Sequence, residues 1–190
     1  MNQGPKQTDE LLAADFQSGS ELAFETLVDR YTNRVYAFIF RLSGDRELSE
    51  DATQEAFVKA WKAINSYDTE RPFRPWLFQI ARNATIDLMR KRKDRTFSSL
   101  SDDDDFSDGL ADDTSGIEEI LDTNIDTETA MKALQKLSTA MRAVVLLHDV
   151  EDLTFQEIAS ASGESLNTVK SRYRRALARL KEIMHQKKER

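Results

Sequence analysis

The sequence predicts an all-α protein: two small helical domains joined by an acidic flexible linker, the second domain carrying a helix-turn-helix. Three observations lead there. Apolar residues recur at three- and four-residue intervals over long stretches, as a helix with one buried face requires. Six glycines and three prolines in 190 residues leave few places where helices must stop. Charge is also segregated. Residues 97–129 hold 12 acidic residues and no basic one, whereas residues 21–96 hold 14 basic and 12 acidic and residues 130–190 hold 12 basic and seven acidic. The net charge of −7 thus belongs to one segment, and such asymmetry marks separate modules. The expected divisions are a flexible N-terminus (1–19), a first domain (20–96), an acidic linker (97–127) and a second domain (128–190).

In the N-terminal segment only Glu10–Phe16 suggests a short helix. A long helix follows over 21–43, with Phe24, Leu27, Val28, Tyr31, Val35, Phe38, Ile39 and Leu42 on one face. Gly44 suits the left-handed residue that closes it. Asp45 is placed to cap a second helix reaching about residue 65, with Leu48, Ala52, Ala56, Trp61 and Ile64 directed inward. Residues 65–75, with Pro72 and Pro75, read as an ordered loop. The third helix buries Leu77, Ile80, Ala81, Ala84 and Leu88, with Phe78 and Met89 widening that face. Residues 97–127 show one sign of charge and no sustained period, the composition of a disordered linker. Their acids either keep nucleic acid off the free chain or serve as a solubilising spacer. Only the first role predicts that replacing Asp102–Asp105 by serine raises DNA binding at low salt.

Composition excludes much chemistry. Without cysteine there are no disulfides, thiolate metal sites or thiol nucleophiles. Two histidines, His148 and His185, do not make a metal site or a catalytic triad, and Asp102–Asp105 lacks the ligand spacing of a calcium loop. No phosphate-cradling glycine loop is present, so neither enzymatic activity nor a cofactor is expected. The N-terminus has no secretory pattern and no apolar run reaches membrane-span length, so a cytoplasmic protein without membrane insertion is expected.

Three stretches carry binding chemistry. In the second domain, Thr154-Phe-Gln-Glu157 is a capping box that starts a short helix, Gly163 ends it, and Ser165 can cap the last helix. Counting from Phe155, Ala159 is the fifth residue, Gly163 the ninth and Val169 the fifteenth. These are the small, turn and plug positions of a helix-turn-helix, which is favoured over a plain basic bundle. The last helix buries Leu166, Val169, Tyr173, Leu177 and Leu180 and presents Asn167, Lys170, Ser171, Arg174 and Arg175 for base edges and phosphates. In the first domain, Trp76, Gln79, Asn83, Asp87 and Arg90 form a stripe beside the buried face, with Phe73 near its head and the basic run Arg90–Arg95 at its end. That stripe is either a solvated rim or a surface that touches bases and phosphates together. Finally, Asp51, Gln54, Glu55 and Val58 share one face. Physics alone favours a solvated surface there over a dock for a basic helix.

Three blocks occur in order: Asp51-Ala-Thr-Gln-Glu-Ala-Phe-Val-Lys-Ala-Trp61, Phe73-Arg-Pro-Trp-Leu-Phe-Gln-Ile-Ala-Arg-Asn83, and Leu153-Thr-Phe-Gln-Glu-Ile-Ala159 through Asn167-Thr-Val-Lys-Ser-Arg172. Together they resemble the extracytoplasmic-function (group IV) sigma factors of bacterial RNA polymerase, of the sigma-70 family. The resemblance covers about 21–95 and 128–184. It implies that 20–96 is sigma region 2, which binds core polymerase and the −10 element, and that 128–190 is sigma region 4, which binds the −35 element. It implies that Asp51, Gln54, Glu55 and Val58 dock on the β′ coiled coil, with the β flap a further core contact. It assigns Phe73, Trp76, Gln79, Asn83 and Arg90 to the −10 element, and Asn167, Lys170, Ser171, Arg174 and Arg175 to the −35 element. The implied partners are core polymerase, promoter DNA and an anti-sigma factor. The competing expectation is a stand-alone helix-turn-helix regulator that binds a palindrome without polymerase.

Overall fold

The computed structural model describes residues 7–96 and 127–188. They belong to two compact units that divide between Arg92 and Lys93. Every regular element among the described residues is helical. The linker expected at 97–127 lies outside the described residues except for Thr127, which begins a helix.

The first unit contains α1 (Asp9–Gln17), α2 (Glu21–Ser43), α3 (Arg46–Ala63), a 3-10 turn (Ile64–Ser66) and α4 (Phe73–Thr96). The α2 stripe is buried at Leu27, Tyr31, Val35, Phe38, Ile39 and Leu42, while Phe24 and Val28 are only half-buried. Gly44 adopts φ 72° and its N–H donates to the Phe40 carbonyl at 2.8 Å, satisfying an orphan carbonyl at the helix end. The Asp45 carboxylate accepts from the Leu48 N–H at 3.0 Å and starts α3. Phe73, Leu77, Phe78, Ala81 and Ala84 bring α4 into the same core, where Phe38 and Phe78 meet edge to face at 5.3 Å.

Within the segment expected to be flexible, the helix suggested at Glu10–Phe16 is present and packed. Residues 9–17 form α1, capped by the Thr8 side chain, with Leu12 and Ala13 buried. Polar residues on its outer side mask the small buried stripe in the sequence. Two expectations need correction here. Trp61 does not point inward; it is 53% exposed, and Ala60 takes the buried position beside it. The ordered loop is also shorter than 65–75. The 3-10 turn ends at Ser66 and α4 starts at Phe73, which puts Pro75 in a first helical turn, where a missing N–H breaks no intrahelical bond.

The second unit contains α5 (Thr127–Leu134), α6 (Thr139–Val145), a π-turn (Leu146–Val150), α7 (Phe155–Ser162) and α8 (Leu166–Lys188). Ser138 caps α6 by accepting from the Met141 N–H at 3.3 Å. Arg142 is buried and donates to the carbonyls of Leu134, Gln135 and Leu137 at 2.8–2.9 Å, holding the α5–α6 connection. Val169, Tyr173, Ala176 and Ile183 form the fully buried line of α8. Leu166, Leu177 and Leu180 are half-buried at its edges.

Candidate nucleic-acid and polymerase interface

The second unit builds its outer surface from local signals. Thr154 and Glu157 close the capping box in both directions: Thr154 N–H donates to Glu157 Oε2 at 2.8 Å, and Glu157 N–H donates to Thr154 Oγ1 at 3.2 Å. Ala159 is buried, Gly163 takes φ 72° in the turn, and Val169 is fully buried. These are the small, turn and plug positions of a helix-turn-helix, each filled as its sterics demand. Ser165 accepts from the Thr168 N–H at 3.0 Å and starts α8. Asn167, Lys170 and Arg174 are exposed on the far side of that helix. Ser171 and Arg175 are half-buried: the Ser171 hydroxyl donates to the Thr168 carbonyl at 3.0 Å, and Arg175 Nε donates to the Ser171 carbonyl at 3.4 Å. Arg172 turns the other way and grips Glu164 in the turn with two bonds at 2.5 and 3.1 Å. Within 170–175 the helix therefore spends Arg172 on its own turn, exposes Lys170 and Arg174, and keeps Arg175 half-buried.

An aromatic cluster lies beneath this outer layer. His148 stacks on Phe155 at 4.1 Å and meets Tyr173 edge-on at 5.0 Å, while the Tyr173 hydroxyl donates to Asp149 at 2.7 Å. Burial pushes the Asp149 carboxyl above its ordinary value, against the opposing pull of the Tyr173 bond and His148. Burial foremost, then the Asp149 bond, pushes the Tyr173 phenol up, so the hydroxyl stays a donor.

In the first unit, the expected stripe on α4 divides. Asn83 and Arg90 are exposed, Trp76, Gln79 and Asp87 are half-buried, and Gln79 Nε2 donates to Asn83 Oδ1 at 3.2 Å. Phe73 is 1% exposed, which corrects its assignment to direct DNA contact. Its position at the first turn of α4 points it back into the core, where it meets Tyr31 at 5.8 Å and Tyr67 at 5.5 Å. Phe73 and Tyr67 instead form two walls against the Trp76 ring, at 5.3 and 4.8 Å. The Tyr67 hydroxyl donates to the Arg71 carbonyl and folds the loop over itself. Burial foremost, then Glu10, raises the Tyr67 phenol, keeping that donor in place. The indole is thus braced by two rings and half-buried, and an aromatic ring held in this way is a platform on which a base can stack.

On α3, Asp51, Gln54, Glu55 and Val58 are all exposed, in the i, i+3, i+4, i+7 order of one helical face. Trp61 extends that face by another turn, so the surface combines carboxylates, an amide and two apolar side chains. The basic run at the end of α4 reaches this region. Arg92 lies 2.8 Å from Asp45, 3.4 Å from Glu47 and 3.5 Å from Asp51. Lys59 on α3 bonds Asp87 on α4 at 3.2 Å.

Residues 27–95 match the family model described as Sigma-70 region 2, and residues 127–180 match that of Sigma-70, region 4. The chain is 34% identical over 184 residues to the RNA polymerase sigma factor CnrH of Cupriavidus metallidurans, covering 95% of this chain and 96% of that one. It is 31% identical over 164 residues to the ECF RNA polymerase sigma factor SigW of Bacillus subtilis, covering 84% and 87%. The chain belongs to the extracytoplasmic-function sigma factors of the sigma-70 family. The solved structure of CnrH with the cytosolic domain of CnrY is similar at TM-score 0.68 and 28% identity, covering 95% of this chain and 99% of that one. That of RpoE with the anti-sigma factor NepR from Bartonella quintana is similar at TM-score 0.66 and 28% identity, covering 85% and 96%.

As a sigma factor, the protein acts with core RNA polymerase in promoter recognition and transcription initiation, and the stand-alone regulator is set aside. The region 2 match takes in most of α2, all of α3 and α4 to Arg95, while α1 precedes it. Two residues of this sigma factor's surfaces were missed in the sequence. Trp61 lies three residues after Val58 and its spacing alone put it on the same face. Tyr67 had no such signal, since its role as a wall for Trp76 comes from a loop that folds back. No helix among the described residues is long and apolar enough to cross a membrane. No cluster of His, Asp or Glu among them is arranged to hold a metal.

Proposed function

We propose that the two units divide the work of initiation. The first, residues 20–96, docks on the β′ coiled coil of core polymerase through Asp51, Gln54, Glu55 and Val58, with Trp61 extending the contact. It reads and opens the −10 element with Trp76, Gln79, Asn83 and Arg90, while Phe73 braces the indole from within. Opening requires a base to leave the stack at a cost of a few kcal/mol, and a braced ring beside amide donors offers it a new partner. The second unit, residues 128–190, places α8 in the major groove at the −35 element, with Asn167, Lys170, Ser171, Arg174 and Arg175 as its reading and anchoring residues, and adds a contact to the β flap. Two modest DNA-binding modules on one chain gain effective concentration once polymerase holds them to a single promoter. The protein is a cytoplasmic specificity subunit and not itself an enzyme. An anti-sigma factor covering these same surfaces is its natural antagonist, in keeping with the complexes of CnrH with CnrY and RpoE with NepR.

The observation that carries this reading is the exposure of all four docking residues on one face of α3 while the opposite side of the helix is filled by Ala52, Ala56 and Ala60. Run-off transcription with purified core polymerase on a promoter library tests it. Transcripts are expected only from the mixture and only from two-element promoters. Asn83→Ala should impair opening at the downstream element, and Arg174→Ala should impair upstream recognition. Equal loss of both steps in both variants refutes the division of labour.

A further inference from the structure

We infer that α1 is a clasp on the loop between the 3-10 turn and α4, with Gln17 and Glu10 as positioning residues for the surface that carries Trp76. The inference rests on the proposed −10 role of that surface. Gln17 and Glu10 lie seven residues apart, two turns, and so project from the same side of α1. Their targets are the two ends of one loop. Gln17 Nε2 donates to the Ile64 carbonyl at 2.7 Å and to the Tyr67 carbonyl at 2.9 Å, fixing the point where the chain leaves the 3-10 turn. Glu10 Oε1 accepts from the Phe73 N–H at 3.0 Å, fixing the point where the chain enters α4.

The second bond answers a local deficiency. The residue before α4 is Pro72, which has no side-chain oxygen to cap the helix. Glu10 supplies the missing acceptor from 63 residues away, and its carboxylate also suits the positive end of the helix dipole. At the other end Gln17 reinforces the exit from the 3-10 turn, where the Ile64 carbonyl also accepts from the Tyr67 N–H at 3.1 Å. The clasp is itself anchored. Asp9 accepts from Arg30 and from the Tyr31 hydroxyl on α2, and Leu12 and Ala13 are buried. Displacement at either end of the loop reaches the indole directly, because Tyr67 and Phe73 are the two rings packed on Trp76. The clasp precedes the region 2 match at 27–95, so it comes from residues outside that segment.

The test uses the full chain with core polymerase on a promoter that carries a fluorescent adenine analogue in the −10 non-template strand. Opening rate and affinity for core are measured separately for Gln17→Ala, Glu10→Ala, Glu10→Gln and, as reference, Trp76→Ala. Gln17→Ala and Glu10→Ala should each slow opening about five- to tenfold, the worth of one or two well-placed hydrogen bonds. Core affinity should stay within about twofold. Glu10→Gln keeps an acceptor oxygen and should restore most of the rate, and this pair decides the matter even if Gln17→Ala folds poorly. Native opening by Gln17→Ala and Glu10→Ala, with slow opening by Trp76→Ala, overturns the clasp and leaves the −10 reading intact. Native opening by Trp76→Ala overturns that reading and the clasp with it. A parallel fall in core affinity and opening rate, unrescued in Glu10→Gln, overturns positioning in favour of a purely structural role.

Discussion

Replacing Arg142 by methionine should unfold the second unit and leave the first standing. Arg142 is 5% exposed and its guanidinium spans the α5–α6 connection. Nε donates to the Leu134 carbonyl at 2.8 Å, Nη1 to Gln135 Oε1 at 2.6 Å, and Nη2 to the Gln135 and Leu137 carbonyls at 2.9 Å each. Methionine fills comparable volume and donates nothing. The Leu134 carbonyl retains the Leu137 N–H at 3.0 Å, but Gln135 and Leu137 each lose a charged donor. Loss of a bond to a charged group costs about 1.5–3 kcal/mol, so the two carbonyls together lose roughly 3–6 kcal/mol. Relief of the desolvated guanidinium offsets part of this, leaving about 3–4 kcal/mol. A unit of this size has a total stability of about 3–9 kcal/mol at typical values per residue, so the loss consumes much or all of it. Hydrogen exchange of the whole chain reads the outcome directly. Amides in 139–183 should lose protection while those in α2 and α4 keep theirs. A midpoint shift of the second unit below about 5 °C, under 1 kcal/mol for so small a domain, would refute the assignment of Arg142 as its tie-point.

Other outcomes follow from the same contacts. Thr154→Ala removes the hydroxyl that accepts from the Glu157 N–H, leaving only the backbone arm of the capping box, and should cost the second unit about 1 kcal/mol in chemical denaturation. Gly163→Ala should cost about 1–2 kcal/mol through its φ of 72° alone, since an added Cβ meets nothing within 4 Å; a larger loss would point to a clash the structure does not contain. Asp51→Ala should leave folding within about 0.5 kcal/mol, because its ion pair is exposed and Arg92 keeps Asp45 and Glu47, yet should weaken core binding by about tenfold or more in an equilibrium titration. Tyr31, Tyr67 and Tyr173 all have phenols raised by burial. A raised phenol favours the folded state below the unfolded value and loses that advantage as pH climbs past it. Stability should therefore be flat in this respect below about pH 10 and then fall by about 1.4 kcal/mol per pH unit for each tyrosine. The fall should be twice as steep in the first unit, which holds two of the three; equal slopes would contradict the burial.

What was legible in the sequence was whatever neighbouring residues decide. The Thr154–Glu157 box, the left-handed Gly44 and Gly163, the Asp45 cap and the α2 stripe involve partners within about one or two helical turns, and periodicity finds them. The surface residues of α8 were legible for the same reason, since the buried line Val169–Tyr173–Ala176 fixes which side faces out. The failures share the opposite property. The inward series Leu48, Ala52, Ala56 is continued in the fold by Ala60, which is fully buried, and not by Trp61. The family resemblance implies DNA contact for Phe73, but its fate depends on Tyr31, 42 positions earlier, and on a loop that brings Tyr67 against it. The packing of α1 carries little pattern in a nine-residue helix with two buried side chains, and its value lies in Glu10 and Gln17 reaching across 47 to 63 residues.

The basic run at the end of α4 illustrates how charge in a sequence differs from charge available to DNA. Read as a string, Arg90–Arg95 is a charged helix end, placed to support a nucleic-acid backbone if the stripe before it touches one. In the fold, Arg90 lies 3.4 Å from Asp87 and Arg92 lies within 3.5 Å of three acids around the start of α3. Each such pair contributes at most about 1 kcal/mol to stability, so their larger effect is on register. With Lys59–Asp87, they tie α3 to α4 at two levels. The face proposed for polymerase and the face proposed for the promoter therefore belong to one braced helix pair. Once α3 is docked, the position of Trp76 relative to polymerase is set by the fold, and the amides of Gln79 and Asn83 can discriminate bases on a surface that needs little further ordering. That is the arrangement in which binding energy from docking is available for strand opening.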